Sequence, residues 1–222
     1  MLIGITVSTN FSDILEITMK QNLKFFDYWY IITQKNDIKT INLIKNNDKI
    51  KILYYDFQSN NIKNNISIFN KGGAISYAQN LIYSKYIKCK ILILDSDIYL
   101  PYNFHKIIEK ENFQTNTLYQ CLIRIDYFKL TDFYNKINPK YFKHSQLSCG
   151  YFQLYYIDQT LPNNIIYYYG QSYDCSNCDE QFKILFKNNK TLEIFTYHLG
   201  KASIHLQGRK DTSDFIIDTK IL

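Results

Sequence analysis

The sequence predicts an α/β fold in one domain, with a mixed, mainly parallel sheet flanked by helices. Ile91–Leu94 is a short, continuously apolar run, which is typical of a strand buried on both faces, as in parallel sheets. Strand-like and helix-like segments alternate through residues 1–97, whereas the second half is more mixed, which favours an added antiparallel part. The 222 residues, 46% of them hydrophobic, suffice for one such domain, and 7 Gly and 3 Pro leave no linker between domains.

The order of the elements follows from apolar periodicity and from helix-start residues. Apolar residues at helical spacing predict a helix over 14–29 that runs directly into a strand at 30–32. Lys71-Gly72-Gly73 opens a helix to about residue 87, and Pro101 starts another. The predicted strands are 2–7, 30–32, 50–55, 90–94, 117–128, 150–157 and 191–197. The predicted helices are 14–29, 38–44, 71–87, 101–110, 131–137 and a long last helix that begins within 173–182.

The charge balance favours small anionic ligands over nucleic acid. The net charge is +6, and the basic residues are spread along the chain between acidic ones. A mildly basic protein of this kind suits nucleotides, whereas nucleic-acid binding calls for a basic stripe or a known module. Neither a P-loop pattern nor a Gly-x-Gly-x-x-Gly pattern occurs, which argues against a P-loop enzyme and a dinucleotide-binding domain. Nucleic acid is therefore not an expected partner.

Cysteine usage and hydropathy predict a soluble, cytoplasmic protein. The five Cys are an odd number without framework spacing, which favours a reducing compartment. No apolar stretch is long enough to span a bilayer, and no secretory leader is recognised. Cys175-x-x-Cys178 could form half of a zinc site with Cys149 and His144. A lone pair of this kind is weak evidence, so we do not expect zinc.

Two carboxylates follow the most apolar strand, in Asp95-Ser96-Asp97. Residues two apart in extended chain point to one side, and ligands of open α/β sheets collect at the carboxyl ends of strands. Paired carboxylates there suit Mg²⁺ or Mn²⁺, with a phosphate supplying further ligands. The alternative is a simple turn in which the side chains bond nearby N–H groups. The tripeptide alone leaves both interpretations open.

Polar residues also follow two other strands. Ser8 and Thr9 come after the first strand, where they could contact a ligand or cap the next helix. Asp56 comes after the third strand and is a second indication of a shared site. Lys71 and Gly72 begin a helix whose N-terminus favours anions, although an ordinary loop before a helix explains them equally well.

The carboxyl-terminal part holds further candidate residues. Asp179 and Glu180 are an acid pair near a site, or first-turn acids in which Asn177 and Glu180 form a capping box. His198 follows a predicted strand and precedes a basic, Gly-containing segment that could fold over a phosphate, whereas a lone His is more often structural.

In this order, the motifs resemble a small glycosyltransferase of the GT-A fold. They are Ser8-Thr9-Asn10, Asp56, Lys71-Gly72-Gly73-Ala74, Asp95-Ser96-Asp97, Asp179-Glu180-x-Phe182 and His198-Leu199-Gly200 through Gly208-Arg209. The resemblance covers nearly the whole chain and is closest to compact, virus-encoded members that use nucleotide-diphosphate sugars. It implies a nucleotide-binding half over 1–97 and an acceptor-binding half with a closing segment over 98–222. For a viral protein, the expected compartment is the host cytoplasm.

The resemblance also implies roles for individual residues. Asp95, Asp97 and His198 would bind Mn²⁺ or Mg²⁺ held by the donor's diphosphate, with Ser96 beside it. The general base of an inverting enzyme would be Asp179, with Glu180 and Asp174 as rivals. The implied donor-binding residues are Val7, Ser8 and Thr9 for the nucleoside, Asp56 for the base, typically uracil, Lys71 and Gly72 for the ribose or diphosphate, and Lys201 and Arg209 for the leaving diphosphate. Where the family commonly has Trp before Gly-Arg, this chain has His205-Leu206-Gln207.

The expected function is therefore metal-dependent transfer of a sugar from a nucleotide-diphosphate sugar, with UDP-sugar favoured, to a carbohydrate or glycoconjugate hydroxyl with inversion. Aromatics at 151–156 and 167–169 could stack on sugars, although most are expected in the core. One rival is a nucleotidyltransferase, which needs a third carboxylate near Asp95 and Asp97. The other is a non-catalytic nucleotide-sugar or carbohydrate-binding protein.

Overall fold

The computed structural model describes residues 1–58, 62–63, 66–67, 69–143, 150–161, 167–169, 178–200 and 209. Its strands are β1 (Leu2–Val7), β2 (Tyr28–Thr33), β3 (Ile50–Tyr54), β4 (Ile62–Lys63), β5 (Ile66–Ser67), β6 (Lys88–Leu94), β7 (Ile98–Tyr99), β8 (Thr117–Tyr127), β9 (Lys140–Lys143), β10 (Phe152–Asp158) and β11 (Asn188–Leu199). Its helices are α1 (Ser12–Asn22), α2 (Ile38–Ile44), α3 (Lys71–Lys85), α4 (Phe104–Lys110), α5 (Leu130–Asn135) and α6 (Cys178–Lys183), with a 3₁₀ turn at Leu23–Phe25.

Among the described residues, nine strands form one sheet in the order β3-β2-β1-β6-β10-β8-β11-β7, with β9 paired to β8. The pairs β3–β2, β2–β1, β1–β6 and β8–β11 are parallel, and they hold most of the paired residues. Strand β10 is antiparallel to both β6 and β8, so it joins the two parallel parts. The sheet confirms the predicted α/β class, mixed and mainly parallel with flanking helices.

Helices cover both faces of the sheet, and alternation along the strands decides which side chains meet which helix. In β6, Ile91 and Ile93 pack in one core cluster with α3 and α6, whereas Leu92 and Leu94 pack in a second cluster with α1 and α4. We call these the α3 face and the α1 face. Continuing the alternation, Asp95 falls on the α3 face, directly after the strand ends.

Two predicted helices are wrong in their extent. The first ends at Asn22 instead of residue 29, because Leu23–Phe25 form a 3₁₀ turn and Phe26 is extended, with φ −95° and ψ 140°. Trp29 belongs to β2 and is fully buried against Phe26, so core packing produced the helical spacing there. The last helix, predicted to be long, has six residues, Cys178–Lys183, because the chain turns at Phe186 and enters β11.

The remaining predicted elements agree with the structure to within a few residues, apart from small strands and β9 that were not predicted. The helix predicted from Pro101 begins at Phe104, after a turn closed by the Phe104 N–H and the Pro101 carbonyl. No helix among the described residues combines the length and apolarity that a membrane span needs. The boundary between halves at residue 97 stays a prediction.

Candidate active site at the carboxyl ends of the strands

Asp95-Ser96-Asp97 forms a turn between β6 and β7, closed by the Ile98 N–H on the Asp95 carbonyl at 3.2 Å. The turn is fixed from two sides. The Ser96 hydroxyl donates to the Val7 carbonyl at 2.9 Å, and the Thr18 hydroxyl donates to the Ser96 carbonyl at 2.7 Å. The chain therefore turns here, as the alternative interpretation held. Its side chains nevertheless contact groups outside the turn, because Ser96 donates to Val7 and both carboxylates face charged partners, so the turn does not exclude a site.

On one side of the turn, strand pairing places His198 beside Asp97. His198 in β11 has Ile98 of β7 and Asp126 of β8 as its register partners. The Leu199 N–H donates to the Asp97 carbonyl at 2.9 Å. As a result, His198 Nε2 lies 3.3 Å from Asp97 Oδ2, and Nδ1 lies 3.6 Å from Asp126 Oδ2.

Arg124 completes this set of alternating charges. Its Nε and Nη2 donate to the two carboxylate oxygens of Asp126 at 2.7 and 3.0 Å. We call Asp97, His198, Asp126 and Arg124 the His198 chain. All four side chains are largely buried. Buried charges persist only when they are paired in this way.

The electrostatics of the His198 chain favour its ionised forms. Burial lowers the pKa of His198, but the carboxylates of Asp97 and Asp126 outweigh burial and raise that pKa to about 9. Burial raises the pKa of Asp97, yet the His198 charge and hydrogen bond bring it below its usual value. Burial also raises the pKa of Asp126, but the interactions with His198 and Arg124 outweigh it and bring that pKa below its usual value. The two carboxylates thus favour the charged imidazolium, with a proton on each ring nitrogen of His198.

On the other side of the turn, Lys71 joins two carboxylates. Its Nζ donates to Asp95 Oδ1 at 2.8 Å and lies 3.8 Å from Asp179 Oδ1. Helix α3 begins at Lys71 because the Asn70 side chain caps it, accepting from the Gly73 N–H at 2.8 Å. We call Asp95, Lys71 and Asp179 the Lys71 chain.

A lysine in the first turn of a helix is opposed by the helix dipole, so the carboxylates must hold it there. Burial lowers the pKa of Lys71, but Asp179 and Asp95 raise it well above its usual value. Burial raises the pKa of Asp95, and Lys71 offsets only part of that increase. Glycine is required at position 73 because a Cβ there would clash with the Tyr55 hydroxyl and the Asn70 amide.

The two predicted acids of α6 have different surroundings. Asp179 is buried, accepts a hydrogen bond from the Tyr169 hydroxyl at 2.5 Å and faces Lys71. Glu180 is half exposed and lies 3.6 Å from Lys183, three residues along the helix. The structure therefore brings Asp179 to the Asp95 side of the turn and shows Glu180 only in a surface pair. Asn177 of the predicted capping box and Asp174 lie outside the described residues.

The loop after β1 lies next to the turn through the Val7–Ser96 hydrogen bond. Gly72 is buried in the first turn of α3, which contacts Asp95 through Lys71. The hydroxyls of Ser8 and Thr9 are buried and find no hydrogen-bond partner among the described residues. Asp56 instead lies in an exposed turn after β3, where its carboxylate accepts from the Gln58 N–H at 3.1 Å.

The carboxyl-terminal segment is described at Arg209 only; Lys201 and His205 lie outside the described residues. The Arg209 side chain is fully buried and donates to both carboxylate oxygens of Asp13 in α1, at 2.6 and 3.0 Å. Its carbonyl accepts from the Asn10 side chain at 2.7 Å. Arg209 itself therefore lies against Asn10 and Asp13, and the Asp13 carboxylate neutralises its charge.

Sequence reasoning missed Arg124, Asp126, Gln153 and Tyr169. Arg124 and Asp126 are charged residues two apart in a predicted, mostly apolar strand, a pattern that places both on one face and could have revealed the pair. Most of the aromatics at 151–156 and 167–169 lie in the core, as expected, with Tyr151, Tyr155, Tyr167 and Tyr169 at most 5% exposed, whereas Tyr168 is 37% exposed. Cys178 is buried, and its predicted partners in a zinc site, Cys149, Cys175 and His144, lie outside the described residues.

The site has part of the ligand set for the metal that the resemblance implies. No group of three or more His, Cys, Asp or Glu in the described parts of the chain is arranged to hold a metal ion. Two donors are nevertheless in place: Asp97 and His198 approach to 3.3 Å, and the buried Oδ1 of Asp97 has no hydrogen-bond partner among the described residues. A carboxylate oxygen and an imidazole nitrogen fit a divalent ion that takes its other ligands from a bound diphosphate.

No protein-family model matches the sequence, and no curated protein sequence matches it. Among solved structures, a glucose-1-phosphate thymidylyltransferase from Bacillus anthracis is similar over 88% of this chain and 89% of its own, with a TM-score of 0.50 and 9% identity. The chain shares the fold of that nucleotidyltransferase. HddC from Yersinia pseudotuberculosis aligns over 90% of this chain and 91% of its own, with a TM-score of 0.48 and 14% identity. The galactosyltransferase LgtC aligns over 84% and 66%, with a TM-score of 0.38 and 11% identity. At these identities the likeness is one of fold alone.

Proposed function

We propose that the protein is a metal-dependent glycosyltransferase that moves a sugar from a nucleotide-diphosphate sugar, with UDP-sugar favoured, to a carbohydrate hydroxyl with inversion. The observation that carries the proposal is the turn at residues 95–97. It holds an imidazole–carboxylate pair, His198 and Asp97, on one side and a buried acid, Asp179, across Lys71 on the other. A leaving diphosphate and an acceptor hydroxyl need these two kinds of group on opposite sides of the transferred sugar.

The metal ligands in this proposal are Asp97 and His198, with Asp95 next to them. A bound divalent cation offsets the negative charge that develops on the leaving diphosphate. Nε2 of His198 must lose its proton to act as a ligand, and the Asp126 carboxylate, 3.6 Å from Nδ1, would keep the ring oriented. An imidazole in the set favours Mn²⁺ over Mg²⁺, which prefers oxygen ligands.

The donor would lie along the carboxyl ends of β1 and β6. The unpaired, buried hydroxyls of Ser8 and Thr9 would bond the nucleoside, since a buried hydroxyl without a partner costs free energy until a ligand satisfies it. Lys71 and Gly72 would lie beside the diphosphate. Asp56 as the base-reading residue, and Lys201 and Arg209 as diphosphate ligands, remain parts of the proposal that rest on the resemblance.

Calorimetric titration of UDP, GDP and their sugars, with and without Mn²⁺, tests the proposal. We expect one nucleoside diphosphate to bind only with Mn²⁺, and Asp97→Asn to weaken that binding by at least 10-fold. Asp48→Asn is the matched control, because Asp48 lies exposed in the turn before β3. Binding that ignores both metal and Asp97 would reject the metal site. Donor binding without transfer to any acceptor, unchanged in Asp179→Asn, would identify a non-catalytic binding protein instead.

A nucleotidyltransferase is the second candidate, and one contact favours it. The third carboxylate that this class needs is present, because Lys71 joins Asp179 to Asp95. The thymidylyltransferase with the same fold belongs to that class. Pyrophosphate release from a nucleoside triphosphate and a sugar 1-phosphate would identify this activity. Release of a nucleoside diphosphate from a nucleotide sugar would identify glycosyl transfer.

A further inference from the structure

Two buried side chains hold Asp179 at both its carboxylate and its backbone. The Tyr169 hydroxyl donates to Asp179 Oδ1 at 2.5 Å and is also in hydrogen-bond contact with Gln153 Oε1. The Gln153 amide donates through Nε2 to the Asp179 carbonyl at 3.1 Å. Tyr169 and Gln153 are 1% and 0% exposed, so water cannot replace these contacts. Asp179 is therefore fixed in direction as well as in place.

The supporting side chains are themselves anchored to regular structure. Gln153 lies in β10, in the centre of the sheet. The Tyr169 N–H donates to Gln79 Oε1 of α3 at 2.8 Å, and its ring stacks on Phe182 of α6 with centroids 4.5 Å apart. Burial and the nearby Asp179 charge raise the pKa of Tyr169 well above its usual value, so the phenol keeps the proton that it donates.

Gly150 lies against the other carboxylate oxygen. A Cβ at position 150 would clash with Oδ2 and with the carboxylate carbon of Asp179. The Asp179 carboxylate thus packs against a backbone position that has no side chain, while its Oδ1 accepts the hydrogen bond from Tyr169. Oδ2 is the oxygen that no hydrogen bond among the described residues engages.

We propose that Tyr169, Gln153 and Gly150 are positioning residues that direct Oδ2 of Asp179 toward the acceptor hydroxyl. The inference rests on the proposed glycosyl transfer, in which these residues orient the carboxylate of the general base. In that step the acceptor O–H proton moves to Asp179 Oδ2, and the acceptor oxygen forms a bond to the anomeric carbon. The bond from that carbon to the diphosphate oxygen breaks, and its electron pair leaves on the diphosphate. The cluster keeps Oδ2 in line with the hydroxyl before the substrates arrive, where a displacement of 1 Å can cost about 100-fold in rate.

The competing explanation is that this cluster only stabilises the core, since satisfied buried networks rigidify proteins in general. The test therefore pairs Tyr169→Phe with Tyr119→Phe. Tyr119 is equally buried and its hydroxyl accepts from the Gln114 N–H at 2.8 Å, but it packs on the α1 face, away from Asp179. Both changes remove one buried hydroxyl, so both should lower Tm by a similar amount.

Steady-state transfer by the full-length protein with Mn²⁺ separates the explanations. We expect Tyr169→Phe to lower kcat by about 10–100-fold with unchanged KM for the donor, and Tyr119→Phe to leave both constants unchanged. Gly150→Ala, which displaces the carboxylate while Tyr169 stays in place, should lower kcat in the same way. Asp179→Asn sets the limit of the effect, about 100-fold or more.

Equal kcat in the wild type, Tyr169→Phe and Gly150→Ala, with transfer still dependent on Asp179, would overturn the positioning role and leave the glycosyl transfer intact. If Tyr169→Phe does not fold, the kcat of Gly150→Ala alone tests the positioning role. Transfer with retention, or transfer indifferent to Asp179→Asn, would overturn the base itself. Absence of transfer from every nucleotide sugar, with donor binding also absent, would reject the proposed function before these variants are compared.

Discussion

The two chains of charge on either side of the turn at 95–97 are built from different kinds of structure. The His198 chain comes from β8, β11 and the turn before β7, and strand register places His198 beside Asp126 and Ile98. The Lys71 chain joins the first turn of α3, the end of β6 and the first turn of α6. Strand register sets the first arrangement residue by residue, whereas the second depends on how helices dock on the sheet.

The central cations of the two chains also differ in what they can release. His198 carries a proton that titrates within reach of physiological pH, because its pKa is about 9. Lys71 keeps its charge, since its pKa lies well above the usual lysine value. In the proposed function, a metal ion can therefore take the place of the proton on His198, while Lys71 remains a fixed brace between Asp95 and Asp179. In that proposal the His198 chain exchanges its cation, whereas the Lys71 chain keeps its geometry.

Lys71→Met should disrupt the Lys71 chain and have the largest effect on stability. It leaves Asp95 and Asp179 facing each other without a cation, and breaking a buried pair typically costs about 3–5 kcal/mol. Urea unfolding measures the change. Lys85→Met, in the last turn of the same helix at an exposed position, is the control and should cost less than about 1 kcal/mol. Equal losses of unfolding free energy in the two variants would contradict the role of Lys71 in holding Asp95 and Asp179 together.

The pH dependence of stability should distinguish the chains next. The pKa of His198 rises from 6.5 to about 9 on folding, so its contribution is fully present below pH 6.5 and is lost as pH rises through about 9. The shift corresponds to about 3 kcal/mol in the metal-free protein. The Lys71 chain should not respond in this window. Urea unfolding at pH 6 and pH 9.5 should show this loss of unfolding free energy in the wild type and not in His198→Gln. An equal loss in both proteins would contradict the contribution of His198.

Asp126→Asn should weaken the His198 chain without removing Asp97 or His198, the proposed metal ligands. Loss of a carboxylate behind a ligating His typically lowers metal affinity about 10–100-fold. Mn²⁺ titration followed by electron paramagnetic resonance measures this directly. Asp158→Asn is the matched control, because Asp158 is also buried and pairs with Lys88 at 2.7 Å, at the opposite end of the sheet strands. Unchanged Mn²⁺ affinity in Asp126→Asn would show that the ring needs no second carboxylate.

The sequence predicts the strand-end part of the site better than the contacts across it. The apolar run before Asp95 and Asp97 fixes a strand end, since strand periodicity is local, and most other elements followed from similar patterns. Local patterns failed at Phe26 and Trp29, where core packing imitated a helix. The contacts of Lys71 with Asp179, and of Asp179 with Tyr169, join separate elements through tertiary packing, which no spacing in the sequence encodes.

The smallest expected effect sharpens the choice between the two acids of α6. Glu180 is half exposed and its contact with Lys183 at 3.6 Å is a surface pair, worth at most about 0.5 kcal/mol. Glu180→Gln should therefore leave stability, donor binding and kcat nearly unchanged, in contrast to Asp179→Asn. Parallel urea unfolding and transfer assays check this. A large fall in kcat for Glu180→Gln would move the base by one residue along the helix, and the Tyr169 cluster would then support a structural carboxylate instead of the catalytic one.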